Sequence, residues 1–313
     1  MKPKLLQHGR LPPTIESRLA HDYNVQALWS EADAKEFLQT RGSEFVALAT
    51  NAISGASREL IAELPTLRVI SSLGVGLDAM SLETAKQRGI AVGYTPGVLN
   101  DCVADTAFAL LMNVARRVSA ADRFVRTGQW PNASFPLSSR VSGKRLGIVG
   151  MGRVGQVIAK RSAGFDMTVR YSNLQPVADV AYQYVESLSE LADWADFLVI
   201  AVAGGAETEH LINAKVLNAL GPRGYLINIA RGTVVDEAAL VDALVNRRIA
   251  GAGLDVFANE PHVPQALFEL DNVVLLPHVS SATEETRLAM GELFLDNLKI
   301  FFSTGRVTAS ALE

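Results

Sequence analysis

Short runs rich in Val, Ile and Leu alternate with longer stretches of helical periodicity from one end of the chain to the other. Parallel sheets built from strand–helix–strand units, with helices on both faces, satisfy such an order. In the first third the expected strands are Lys4–His8, Val25–Leu28, Phe45–Thr50, Arg68–Leu73 and Ile90–Tyr94. Helical patterns at Thr14–His21, Asp33–Arg41, Ser57–Glu63 and Ser81–Arg88 lie between them, which completes one small domain. A second series starts at Leu146–Gly150 and continues with Met167–Ser172, Ala181–Val185, Phe197–Ala203, Tyr225–Ala230, Gly253–Phe257 and Val273–Pro277. One long helical pattern, Asn100 to Arg126, joins the two series, and a Pro- and Ser-rich loop from Pro131 to Ser142 follows it. The last helix, Thr283 to Phe302, comes after the second sheet is complete and needs a partner for its apolar face. Packing back onto the first domain would make that domain discontinuous. The fold class is therefore α/β, two doubly wound parallel-sheet domains, with residues 1–99 and 284–313 in one and 100–283 in the other.

Composition narrows the function. At 313 residues with 49% hydrophobic side chains, each half has enough apolar material for its own core. Lys and Arg number 29 against 33 Asp and Glu, and no basic stretch stands out, so a nucleic-acid partner has nothing to grip the phosphates with. The lone cysteine, Cys102, excludes a disulfide framework and a multi-cysteine metal site, and no metal is expected. No run of 18 apolar residues occurs, so no membrane span is expected. The opening Met1-Lys2-Pro3-Lys4-Leu5-Leu6 is too poor in apolar residues for a secretory signal, and a cytoplasmic protein is the default.

The first chemical motif is Gly150-Met151-Gly152-Arg153-Val154-Gly155, which fits G-x-G-x-x-G. It follows the apolar strand Leu146–Val149 and opens a helical pattern at Val154, the context in which such a loop binds a dinucleotide. Gly150 permits the tight turn, Gly152 lets the backbone approach a pyrophosphate, and Gly155 lets helix and strand pack closely. Arg153 and Val154 begin the helix whose free N–H groups meet the phosphates. The next strand ends Val169-Arg170-Tyr171-Ser172-Asn173 without the acid that commonly binds an NAD ribose. Ser172 and Asn173 can instead donate hydrogen bonds to a 2′-phosphate, so NADP(H) is favoured and NAD(H) remains possible.

Three further segments carry reactive side chains: Asn228-Ile229-Ala230-Arg231-Gly232, Gly253-Leu254-Asp255-Val256-Phe257 running on to Asn259-Glu260-Pro261, and Leu275-Leu276-Pro277-His278-Val279-Ser280-Ser281. Taken singly, Arg231 reads as a surface residue, Glu260 as a turn residue before proline, and His278 as a buried histidine. Together they match the reduction of a 2-keto acid. Arginine presents a planar fork to a carboxylate. Histidine supplies a proton to the carbonyl oxygen, and a neighbouring carboxylate orients it.

With Gly74-Val75-Gly76-Leu77-Asp78, the glycine loop, Ala230-Arg231-Gly232, Asn259-Glu260-Pro261 and Pro277-His278, in this order and spacing, the chain resembles the D-isomer-specific 2-hydroxyacid dehydrogenase family over essentially its whole length, especially the glyoxylate/hydroxypyruvate reductase branch. The resemblance implies a Rossmann-type cofactor domain and a smaller flavodoxin-like substrate domain. It implies that Arg231 clamps the carboxylate and keto oxygen, that His278 donates the proton, and that Glu260 partners it. Backbone N–H groups of Val75 and Gly76 would also hold the carboxylate, and Asp255 would meet the nicotinamide carboxamide. Ser280 departs from the glycine usual in the family, and its side chain would narrow the pocket or add a hydrogen bond. The resemblance further implies a homodimer built on the Asn100–Arg126 helix, with Trp130 packed at that interface. The expected activity is reduction of glyoxylate, hydroxypyruvate or a related small 2-keto acid to the D-2-hydroxy acid. A 2-ketogluconate-type sugar-acid reductase and a nucleotide-sensing, corepressor-like scaffold of the same fold stay open as alternatives.

Overall fold

Five strands, β1 (Lys4–Gln7), β2 (Asn24–Ala27), β3 (Ala47–Asn51), β4 (Val69–Leu73) and β5 (Ala91–Gly93), pair in the order β2-β1-β3-β4-β5 and all run parallel. This is the flavodoxin-like strand order. The computed structural model in which they are seen describes residues 2–312. β4, Val69-Ile70-Ser71-Ser72-Leu73, is buried along its whole length, as a central parallel strand covered on both faces must be. Helices α1 (Pro13–Asp22), α2 (Ala34–Arg41), α3 (Arg58–Ala62) and α4 (Leu82–Gln87) connect the strands. α2 starts where the Asp33 carboxylate accepts from the N–H groups of Lys35 and Glu36, and α3 starts where Ser57 accepts from Leu60. Phe37, Phe45, Leu48, Ile61 and Ile70 lie in the core of this unit.

The stretch Asn100–Ala282 is a second compact unit. It opens with α5 (Asn100–Arg116) and α6 (Val118–Arg126), so the single helix expected over 100–126 is two. The break is at Arg117, whose backbone is left-handed (φ 55°). Asn113 makes the break possible. Its Oδ1 accepts from the Ser119 N–H (2.9 Å) and its Nδ2 donates to Ser119 Oγ (2.7 Å), so the new helix start is satisfied from the old helix. Seven parallel strands follow: β6 (Arg145–Val149), β7 (Thr168–Ser172), β8 (Gln183–Tyr184), β9 (Phe197–Ile200), β10 (Tyr225–Asn228), β11 (Gly251–Leu254) and β12 (Val273–Leu275). α7 (Arg153–Ser162), α8 (Leu188–Trp194), α9 (Ala214–Leu220) and α10 (Glu237–Val245) lie between them in sequence. The spatial order is β12-β11-β10-β9-β6-β7-β8, so the chain reverses direction across the sheet between β6 and β9. Ligands of such sheets bind outside the carboxyl ends of the strands at that reversal.

Two expected strands shift. The strand expected at 181–185 contracts to the two residues of β8. The strand expected at Gly253–Phe257 is β11, Gly251-Ala252-Gly253-Leu254, two residues earlier. The small residues are needed because the strand lies tight against its neighbours. A Cβ on Gly251 would come within 2.4 Å of the Asn272 carbonyl oxygen, and one on Gly253 within 2.8 Å of Leu110 Cβ in α5.

The chain rejoins the first unit at Thr283, one residue before the expected boundary. Thr283 caps α11 (Glu284–Thr304), its side chain accepting from the Thr286 N–H. α11 buries Met290, Phe294, Leu298 and Phe301 and is tied to the first sheet through Ser71 Oγ, which donates to the Phe294 carbonyl (2.8 Å). Asn297, wholly buried, donates from Nδ2 to the Tyr94 carbonyl (2.9 Å) and accepts at Oδ1 from the Ala309 N–H (2.9 Å). Replacing Asn297 by alanine removes both bonds, to the half-buried Tyr94 carbonyl and the half-buried Ala309 N–H, from a wholly buried position. A loss of about 2–4 kcal/mol in this unit is expected, measured as a lower denaturant midpoint with an unchanged slope.

Candidate active site

The glycine turn sits at the carboxyl end of β6. Gly150 has φ +98°, where only glycine is comfortable, and its N–H donates to the Ser172 carbonyl (2.9 Å). A Cβ on Gly155 would come within 2.1 Å of the Gly150 carbonyl oxygen, so the first turn of α7 packs directly on the loop. Gly152 is the N-cap of α7, no side chain caps the helix there, and a Cβ built on it meets nothing within 4 Å. The loop is closed on the protein side and open where a phosphate would lie. It fits a dinucleotide. Arg153 and Val154 are the first two residues of α7.

At the end of β7, Ser172 is nearly buried and Asn173 is half-buried, its amide donating to the Gln175 carbonyl (3.2 Å). Arg170, two residues before Ser172 in the same strand, stacks over the Trp194 ring at 4.4 Å. Its charge is engaged on α8.

The reactive trio comes from the ends of three neighbouring strands. Arg231 follows β10 by three residues, Asp255 and Glu260 follow β11, and His278 follows β12 by three. Asn228 shapes the first turn, its Nδ2 donating to the Arg231 carbonyl (3.0 Å) and its Oδ1 accepting from the Ala230 N–H (3.0 Å). Gly232 then runs against the β11 loop so closely that a Cβ would lie 1.8 Å from the Phe257 carbonyl carbon. His278 Nδ1 stands 2.7 Å from Glu260 Oε2. A carboxylate only accepts, so Nδ1 carries the hydrogen and Nε2 faces away from the pair. Glu260 Oε1 accepts from the Phe257 N–H (3.1 Å), which fixes the carboxylate at its other oxygen. Both side chains keep about a third of their surface, 37% for His278 and 31% for Glu260, so a small molecule can reach them.

Asp255 is the hidden member. It is fully buried, and its backbone carbonyl accepts from the His278 N–H (2.8 Å). Its carboxylate accepts from the N–H groups of Val279 (2.8 Å) and Ser280 (2.9 Å) and from the Ser280 hydroxyl. The side chain of Ser280 is thus turned onto Asp255 and adds a hydrogen bond; it does not line an opening.

The loop after β9 links the glycine turn to Arg231. A Cβ on Gly150 would meet the Val202 nitrogen at 2.7 Å, and one on Gly204 would meet Arg231 Cγ at 2.7 Å. Turn, arginine and His–Glu pair therefore occupy one edge of one sheet. Val75 and Gly76 lie in the other unit, at the carboxyl end of β4. There Gly74 donates its N–H to Thr95 Oγ1 (2.9 Å) and Val75 is exposed.

Residues 108–280 match the family model of the D-isomer specific 2-hydroxyacid dehydrogenase NAD binding domain, more than half of the chain. The chain belongs to the D-isomer specific 2-hydroxyacid dehydrogenases. Among its relatives in this dehydrogenase family, a glyoxylate/hydroxypyruvate reductase A of Arabidopsis thaliana is 44% identical over 289 residues, 92% of each protein. A 2-ketogluconate reductase of Gluconobacter oxydans is 43% identical, with 96% of each covered. Among solved structures, an NADPH-dependent glyoxylate/hydroxypyruvate reductase of Sinorhizobium meliloti in complex with NADP and malonate superposes with a TM-score of 0.92. It is 40% identical, and the match covers 99% of this chain and 97% of that one.

Sequence reasoning missed two parts of the dehydrogenase site. The Phe257 N–H that holds Glu260 carries no side-chain signal. The closeness of Gly232 to Phe257 was signalled only by a glycine next to an arginine. Because a methyl group at 232 must displace the Phe257 peptide, Gly232→Ala is expected to lower turnover about 100-fold, the cost of misplacing a reactive group by about an ångström. Steady-state kinetics test this, and a crystal structure of the variant would show Phe257 moved.

Proposed function

We propose that this dehydrogenase reduces small 2-keto acids to D-2-hydroxy acids with NAD(P)H, NADPH being preferred. The observation that carries the reading is the His278–Glu260 pair, set on the same sheet edge as Arg231 and the glycine turn. The substrate class follows from the relatives named for glyoxylate, hydroxypyruvate and 2-ketogluconate, which share a keto group next to a carboxylate. The cofactor preference follows from Ser172 and Asn173 in place of an acid at the end of β7, and from the NADP in the S. meliloti neighbour.

The bound nicotinamide supplies the hydride. Arg231 neutralises the substrate carboxylate and draws charge toward the keto oxygen. His278 delivers the proton from Nε2 as the carbonyl becomes an alkoxide, and Glu260 holds the Nδ1 hydrogen so that the ring cannot turn. Gly150, Gly152 and Gly155, with the N–H groups of Arg153 and Val154, cradle the pyrophosphate. Asp255 has no exposed surface and its carboxylate takes three hydrogen bonds within the protein, so its part in the site is to hold the loop that carries His278.

The working form proposed is a homodimer. α6 buries none of its residues, and Val118, Val125, Trp130 and Leu137 are exposed, Leu137 to 99%. Large apolar side chains exposed one after another along this stretch of chain support an interface there. α5 is spent on its own unit, so α6 and the loop after it are the part offered to a second copy. No described helix is long and apolar enough to cross a membrane, and the cytoplasm, a reducing compartment suited to the lone Cys102, is the setting proposed.

His278→Asn is expected to lower the rate of keto-acid reduction by about 10²–10⁴-fold, the usual contribution of a positioned acid, with NADPH affinity retained. Initial rates on glyoxylate, hydroxypyruvate and 2-ketogluconate with each cofactor, beside a fluorescence titration of NADPH, make the test. Tight NADPH binding with no turnover of any of the three would return the chain to the scaffold reading. For the dimer, Val125→Asp with Leu137→Asp is expected to halve the sedimenting mass while leaving the far-UV circular dichroism of the chain unchanged, since neither side chain is buried within a single copy.

A further inference from the structure

We infer that Ser280 is a positioning residue for the proton donor, its hydroxyl holding the loop that carries His278 in the one conformation from which the imidazole meets Glu260. The inference rests on the proposed reduction, because it assigns a part within it.

His278 is a non-glycine residue with φ 54°, in the left-handed region. A residue stays there only when its surroundings leave it no alternative. The restraints that surround it come from Asp255. One acts on His278 itself, through the backbone N–H. Two act on the residues after it, through the Val279 and Ser280 N–H groups on the two carboxylate oxygens. The fourth is the Ser280 hydroxyl, which shares Asp255 Oδ2 with its own N–H. Two donors from one residue on one oxygen close a small ring, and that ring fixes the rotation of the Ser280 peptide relative to the carboxylate plane. Ser280 is 4% exposed and Asp255 not at all, so a water cannot take over the bond from outside if the hydroxyl is removed.

Without the hydroxyl, Oδ2 keeps only the Ser280 N–H and Oδ1 only the Val279 N–H, so the turn loses the ring that fixes the Ser280 peptide against the carboxylate. The loop then relaxes toward ordinary backbone angles, and the imidazole two residues earlier follows. Glu260 does not follow, because the Phe257 N–H anchors it separately. The donor and its partner therefore separate, while the glycine turn at β6 is untouched. The defect should fall on the chemical step and spare the cofactor.

Ser280→Ala loses the donor and little volume, whereas Ser280→Thr keeps the hydroxyl and adds one methyl group. Ser280→Ala is expected to lower kcat about tenfold or more, with the KM for NADPH within about twofold of the parent. Ser280→Thr is expected to recover most of kcat. Parental kcat in Ser280→Ala would overturn the inference. So would loss of NADPH affinity in step with kcat, or a Ser280→Thr enzyme that melts like the parent yet turns over like the alanine variant. If the parent reduces none of the keto acids, the failure belongs to the proposed function, and the imidazole decides about Ser280 by itself. The hydrogen-bonded Nδ1–H proton, assigned by its disappearance in His278→Asn, should be a downfield resonance in the parent and be lost or broadened in Ser280→Ala. The same resonance, unshifted and equally sharp in Ser280→Ala, would sink the inference without any assay of activity.

Discussion

Three consecutive backbone N–H groups, those of His278, Val279 and Ser280, all end on Asp255, and the position of the reactive histidine follows from that tie. A loop of this length at a strand end would ordinarily sample several conformations. Here one buried residue, standing directly after β11, accepts from the whole turn that follows β12. Since β11 and β12 are paired in register, Leu254 opposite Leu275, the tie spans neighbouring strands at equivalent heights. The geometry of the sheet is thereby passed to an exposed side chain.

The same logic extends along the edge. Strand order places the carboxyl ends of β6, β9, β10, β11 and β12 side by side, and the steps from the β6 loop to the β11 loop each run through a position too tight for a side chain. Gly150 sits against residues 201 and 202, Gly204 against Arg231, and Gly232 against Phe257. Packed contacts of this kind have no slack. A site built from five loops behaves as if it were one surface because glycines let the backbones touch.

Much of this was legible in the residues alone. The alternation of apolar runs and helical stretches specified the two-sheet architecture, and the glycine turn announced itself by the strand before it and the helix after it. Arg231, Glu260 and His278 were visible because each stood just past an expected strand. Other features left weaker traces. The apolar period of α5 continues into α6, so the break at Arg117 was invisible; it depends on Asn113 reaching across to Ser119. β11 was sought two residues too late because Gly and Ala score poorly as strand formers, although the neighbouring backbone and α5 admit nothing larger. Ser280 was recognisable as an oddity, but nothing in the sequence could say whether its hydroxyl faced an opening or Asp255.

Asp255 and Glu260 show how one chemical group takes two parts within six residues of chain. Both are carboxylates on the same loop, and both have backbone donors. Asp255 has no exposed surface, so its oxygens are occupied by main-chain N–H groups and a hydroxyl that cannot leave, and it acts as a fixed point. Glu260 keeps one oxygen on the Phe257 N–H and turns the other toward an imidazole that solvent can reach. A carboxylate held only by water would reorganise as the histidine gave up its proton. One clamped on the main chain is already aligned before the proton moves, and alignment in advance is what lets a surface loop serve as a proton donor.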